Sequence, residues 1–160
     1  MRKSLMAAAI LVLATSCSSS QSTGSDAATL KVVKPAIEID QISSVPAAAR
    51  HVTGGVPIQY AMRIGNRSGE ALTLKSVSLV SVGSGAYNVS GSTSFGKQIE
   101  PDQEQTFEFW MPASISNPTI VGANGPVTLR ATVYFKSSAG NFQETIIRQV
   151  NAMPGRSNPQ

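Results

Sequence analysis

VTLRATVYFKSSAGNFQETIIRQV, residues 127–150, is the stretch on which the fold turns. Val127, Leu129, Ala131, Val133 and Phe135 alternate with Thr128, Arg130, Thr132, Tyr134 and Lys136. That two-residue period belongs to a strand with one face buried and the other wet. Ser137 to Asn141 supply turn residues, and Phe142 to Val150 return as a second strand, so the stretch predicts a β-hairpin.

The same period extends upstream. Ile58, Tyr60, Met62 and Ile64 alternate with Gln59, Ala61, Arg63 and Gly65. Asn66-Arg67-Ser68-Gly69 then reads as a turn, Asn and Gly being residues that tolerate positive φ. Apolar positions change parity between Leu72/Leu74 and Val77/Leu79, which predicts a bulge near Lys75-Ser76. Tyr87 and Val89 mark a short strand and Phe95 to Ile99 another. Glu100-Pro101-Asp102 turns the chain into Thr106–Met111, where Phe107, Phe109 and Met111 share one face. An early strand around Leu30–Val33, continuing through Ile37–Ile39, brings the count to seven or eight. With no helical period in the body, the expected fold is all-β, an antiparallel immunoglobulin-like β-sandwich. The single cysteine rules out an internal disulfide and a Cys-rich metal cage.

Composition narrows the function classes. Charged residues make up only 14% of the 160 residues, enough chain for one domain. Thirteen Lys and Arg, less Arg2 and Lys3 of the leader described next, stand against nine Asp and Glu and leave a net charge of +2. These charges are scattered singly, without a basic stripe, so nucleic acid is not an expected partner.

Arg2 and Lys3 precede an apolar run from Leu5 to Ala14, the layout of an export signal. Ten apolar residues rise about 15 Å as a helix, against roughly 30 Å of bilayer hydrocarbon, too short for a permanent span. Ala14, Thr15 and Ser16 lead into Cys17. This segment resembles the signal peptides of bacterial lipoproteins, whose lipobox sets small or aliphatic residues before an obligatory cysteine. Leucine, usual three residues before that cysteine, is replaced here by Ala14. The resemblance implies cleavage after Ser16, a diacylglycerol on the Cys17 thiol and an acylated new amino group. Ser18 and Ser19 lack the aspartate that in this family favours inner-membrane retention, so the outer membrane, facing the periplasm, is expected if the source is Gram-negative. The organisation expected is a signal peptide over 1–16, lipidated Cys17 with a Ser-rich flexible tether over 17–29, a domain over 30–150 and a frayed tail over 151–160.

Within the body, residues 56–111 resemble immunoglobulin-like or fibronectin-type modules. They are also similar, over about a third of the chain, to the desiccation-associated WHy domain of LEA14-type proteins. The shared pattern is Ile64-Gly65-Asn66, Leu72-Thr73-Leu74 and Ile99-Glu100-Pro101 before a Phe-rich strand, with Asn66-Arg67-Ser68 where that family shows Asn-Pro-Asn.

Residues with chemical potential are few. His51, the lone histidine, falls in an apparent loop without a partner to make it a base. Glu100, Asp102 and Glu104 would share a side of an extended segment, but Pro101 interrupts it and no calcium-loop glycine surrounds it, so a charged turn is expected rather than a metal site. Glu108 and Glu144 are expected to face solvent. Gly54-Gly55 and Gly83-Ser84-Gly85 lack the lysine and helix of a phosphate loop. Trp110 falls out of phase with Phe107, Phe109 and Met111, which leaves two readings: the outer face with Thr106 and Glu108, where a tryptophan can anchor a partner, or packing under an edge loop or against residues 29–55. The expectation is a lipid-anchored, non-enzymatic envelope module without a cofactor, binding an envelope protein or glycan. An envelope hydrolase or carbohydrate-active enzyme with an unrecognised site, and a stress-protective protein, are the alternatives.

Overall fold

The computed structural model describes residues 34–45, 55–117, 119 and 125–152. The expected signal peptide, Cys17, the tether, the Leu30–Val33 strand and His51 lie outside the described residues. Seven antiparallel strands form the domain: β1 (Ala36–Gln41), β2 (Val56–Gly65), β3 (Leu72–Ser81), β4 (Tyr87–Ile99), β5 (Glu104–Ile115), β6 (Pro126–Ser137) and β7 (Gly140–Asn151). Their order is β1-β2-β5-β4-β3-β6-β7. Strands β1, β2 and β5 make one side and β3, β6 and β7 the other. β4 serves both, because Tyr87–Val89 pair with β5 while Ser90–Ile99 pair with β3. This is the immunoglobulin-like order, 1-2-5-4 against 3-6-7.

Alternation builds the core. Ile58, Tyr60, Met62 and Ile64 of β2 face Val127, Leu129, Ala131, Val133 and Phe135 of β6 within one cluster, all of them buried. Each large apolar side chain buried this way contributes roughly 1.5–3 kcal/mol. The outermost strands close on one another. Lys34 Nζ lies 3.1 Å from Glu144, Arg148 lies 3.6 Å from Asp40, and the Val45 amide donates to the Ala152 carbonyl. Edges protected by charge and contact resist pairing with other chains.

The bulge stands where the parity change puts it, between Leu74 and Ser76. Elsewhere the chain corrects the reading. The two short strands expected at Tyr87–Val89 and Phe95–Ile99 are one 13-residue strand. Asn88 to Ser94 are small and polar apart from Val89, so they show no apolar alternation, and pairing with β3 makes them a strand. Gly91 lets Met111 pack closely there, since a Cβ would stand 3.1 Å from the Met111 sulfur. The hairpin turn is tighter than Ser137–Asn141. Ser137 pairs with Gly140, which takes φ +127°, leaving Ser138-Ala139 as the turn. β7 runs to Asn151 and Ala152 is fully buried, so order continues two residues past the expected boundary. Glu144, expected in solvent, shares its side of β7 with Phe142 and Ile146, and its side chain is only 19% exposed beneath Lys34.

Candidate functional site: the outer face of β1, β2 and β5

The register of β1, β2 and β5 stacks their outward side chains in rows. Ala36, Gly65 and Glu104 form the first, followed by Glu38-Arg63-Thr106 and Asp40-Ala61-Glu108. The next row joins Gln59 to Trp110, with Ile42 alongside because its amide donates to the Gln59 carbonyl. Pro57 opposite Pro112 completes the face. The two ends differ in chemistry.

At the first end Arg63 bridges two carboxylates, Glu38 at 3.2 Å and Glu104 at 3.3 Å. With Ala36, Gly65 and Arg67 these residues line a notch of about 110 Å³. All three paired side chains are more than half exposed, so the ion pairs contribute little to stability.

At the other end the face is apolar. Trp110 is 55% exposed and Ile42 42%, and both prolines are exposed beside them. Strand alternation causes this, because Phe109 and Met111, the neighbours of Trp110, are buried on the inner side. Gln59 donates from Nε2 to Glu108 at 3.0 Å, which fixes both side chains next to the indole.

The backing of this apolar end is held by a buried polar chain. The Tyr60 ring stacks on Phe109 at 5.8 Å, its hydroxyl donates to Tyr87 at 3.0 Å, and Tyr87 donates to Gln41 Oε1 at 2.6 Å. Gln41 Nε2 then donates to the carbonyls of Ser43 and Ala152. Burial pushes the Tyr60 phenol up to about 12, partly offset by its bond to Tyr87. Burial raises Tyr87 well above the ordinary phenol range, and its proximity to Tyr60 adds to the shift.

Trp110 thus stands on the outer face with Thr106 and Glu108, where its phase puts it. Glu100, Asp102 and Glu104 do not converge. Glu100 accepts from Gln98, Glu104 is held by Arg63, and Asp102 takes φ +57° in the turn between them. Among the described residues no group of three or more His, Cys, Asp or Glu could hold a metal ion. Asn66, whose Asn-Arg-Ser context resembles a glycosylation sequon, is fully buried with its amide occupied. Sequence reading missed Ile42, Gln59, Pro57 and Pro112 as neighbours of Trp110. The prolines share its outward phase, which is a usable signal, but the β1-β2-β5 order that gathers these residues is a tertiary fact.

No family model matches the chain, and no curated protein matches it in sequence. Solved structures do resemble it in fold. The Northeast Structural Genomics Consortium target SoR45 aligns over 79% of this chain and 91% of its own, with TM-score 0.52 and 13% identity. The putative ApaA protein from Bordetella pertussis aligns over 77% and 94%, with TM-score 0.46 and 19% identity. AT1g01470 from Arabidopsis thaliana aligns over 71% and 76%, with TM-score 0.45 and 9% identity. At 13% identity the likeness to SoR45 is one of fold alone.

Proposed function

We propose that this protein is a lipid-anchored component of the bacterial cell envelope whose β-sandwich binds or scaffolds another envelope component without catalysing a reaction. The observation that carries the binding reading is the apolar end of the β1-β2-β5 face. Trp110, Ile42, Pro57 and Pro112 lie together in water over a backing fixed by buried hydrogen bonds. Rigid, exposed aromatic anchors of this kind dominate the energetics of protein interfaces. Support for the anchor comes from the lipobox-like sequence ending at Cys17. At ~0.8 kcal/mol per buried CH₂, two or three acyl chains hold a small protein firmly at a bilayer. On this reading, in a Gram-negative source, the domain stands off the outer membrane on its periplasmic side.

Two measurements test the proposal. Metabolic labelling with an alkyne fatty acid should mark the wild type and leave Cys17→Ala unmarked; equal labelling removes the anchor. A photo-crosslinking residue at Ile42 should capture an envelope component in living cells. The same residue at Ser92, outward on the opposite sheet, should capture it far less, and equal capture removes the assignment of the face.

A further inference from the structure

We propose that the Trp110 face recognises a protein segment carrying an apolar side chain next to a Lys or Arg. This rests on the reading of that face as the binding face and adds the chemistry of the partner. Glu108 lies two residues before Trp110 on β5, about 7 Å away along the strand. Its carboxylate accepts a hydrogen bond from Gln59 and, among the described residues, forms no ion pair. The residue opposite is Ala61, too small to cover it, and Asp40 stands on the far side of Ala61 in the same row. With strands about 4.8 Å apart, the backbones of Asp40 and Glu108 are roughly 10 Å apart, so a basic side chain laid over Ala61 lies between two carboxylates.

The cations nearest that position are held elsewhere or at its margin. Arg63 is committed to Glu38 and Glu104 at the other end of the face, and Arg148 reaches only Asp40, at 3.6 Å from the β7 side. A basic side chain laid over Ala61 also comes within reach of the Trp110 ring, where cation–π attraction adds to the ion pair. The apolar anchor then falls on Trp110, Ile42 and the two prolines.

The opposite outer face sharpens the orientation. Its charged residues are Lys75, Arg130 and Lys136, with no carboxylate on the outward positions of β3, β4, β6 and β7. A basic partner is therefore turned away from that sheet and toward this one. A glycan fits the face less well. Ile42, Pro57 and Pro112 offer its hydroxyls no side-chain hydrogen bond, and the amide of Gln59 is already turned to Glu108.

The test is selection of a random-peptide phage library on the purified full chain, followed by titration of the selected peptides. Selected sequences should carry Lys or Arg within two positions of Leu, Ile, Phe or Trp. Trp110→Ala should weaken their binding at least tenfold and Trp110→Phe much less. The pair Asp40→Asn with Glu108→Gln should weaken it several-fold and abolish its salt dependence, each variant being checked by thermal melting for an intact fold. If the Trp110 variant loses binding while the charge variant keeps it, the binding face stands and the partner class is wrong. If the Trp110 variant binds as the wild type does, both are wrong. An empty selection, selection of acidic peptides, Trp110-dependent binding to purified murein sacculi, or Trp110-dependent self-association in sedimentation overturns the proposal.

Discussion

At the end of the sandwich where β2 leads into β3, one side chain ties the β2–β3 turn to the end of β4. Asn66 Nδ2 donates to the carbonyls of Glu70, Ile99 and Glu100, and Oδ1 accepts from the Ser68 amide and hydroxyl. The Asn66 amide itself donates to the Gln103 carbonyl. At the opposite end three side chains, Tyr60, Tyr87 and Gln41, bond to one another before reaching the backbone at Ser43 and Ala152. Both clusters are buried, and both join strands distant in sequence. The difference lies in what a mutation leaves behind. Losing Asn66 removes five bonds at once: the Ile99 carbonyl and the Ser68 amide lose the partner it gave them, while the Glu70 and Glu100 carbonyls keep the Ser68 hydroxyl and the Gln103 amide. Losing one hydroxyl from the tyrosine chain leaves each remaining group at most one partner short.

That contrast fixes a ranking. Asn66→Ala should lower the free energy of unfolding by about 3 kcal/mol in urea titration, because five hydrogen bonds go at once and the Ile99 carbonyl and Ser68 amide lose their side-chain partner. A loss below about 1 kcal/mol would mean that water reaches them and that the two ends do not differ in kind. Tyr87→Phe, which removes both the donor to Gln41 and the acceptor for Tyr60, should cost about 2 kcal/mol, and Tyr60→Phe about 1. The double variant should cost less than the two singles together, since both cut one chain.

The tyrosine end should also make stability depend on alkaline pH. A phenol whose folded value is raised favours the protonated native state, so its contribution is complete below the unfolded value of 10.0 and disappears as pH climbs toward 12. Stability should be level through neutrality and fall across that window, with Tyr60→Phe flattening the fall; an unchanged slope in the variant would detach the effect from this end. Trp110→Ala touches neither cluster and should change stability by no more than about 0.5 kcal/mol, whatever it does to binding.

Sequence periodicity made the strands legible because one face of each is apolar, and it located the bulge at Lys75 through parity alone. It also marked Asn66 as a turn residue, though for a different reason than the one that operates. Neither Asn66 nor Gly69 takes positive φ, and Asn66 matters through its amide group. The tyrosine chain was hidden because Tyr60 and Tyr87 occupy ordinary inward positions, and nothing local shows that Gln41 will meet them. Trp110 was legible by phase. Its neighbours were not, since Ile42, Gln59 and Trp110 come from three strands whose adjacency is set by packing.

One consequence of β1 concerns force. It is the first strand of the described domain, six residues long, paired on one side with β2 and joined to β7 by the Asp40–Arg148 ion pair, with flanking Lys34 bonded to Glu144 and both Gln41 and Val45 to Ala152. In a protein held by its N-terminus and gripped at Trp110, tension would enter through Lys34 and cross from β1 to β2 before reaching the partner. The short ladder between Ala36–Gly65 and Gln41–Tyr60 would then be the mechanical fuse of such an assembly, the part whose rupture would free the partner with six of the seven strands still joined.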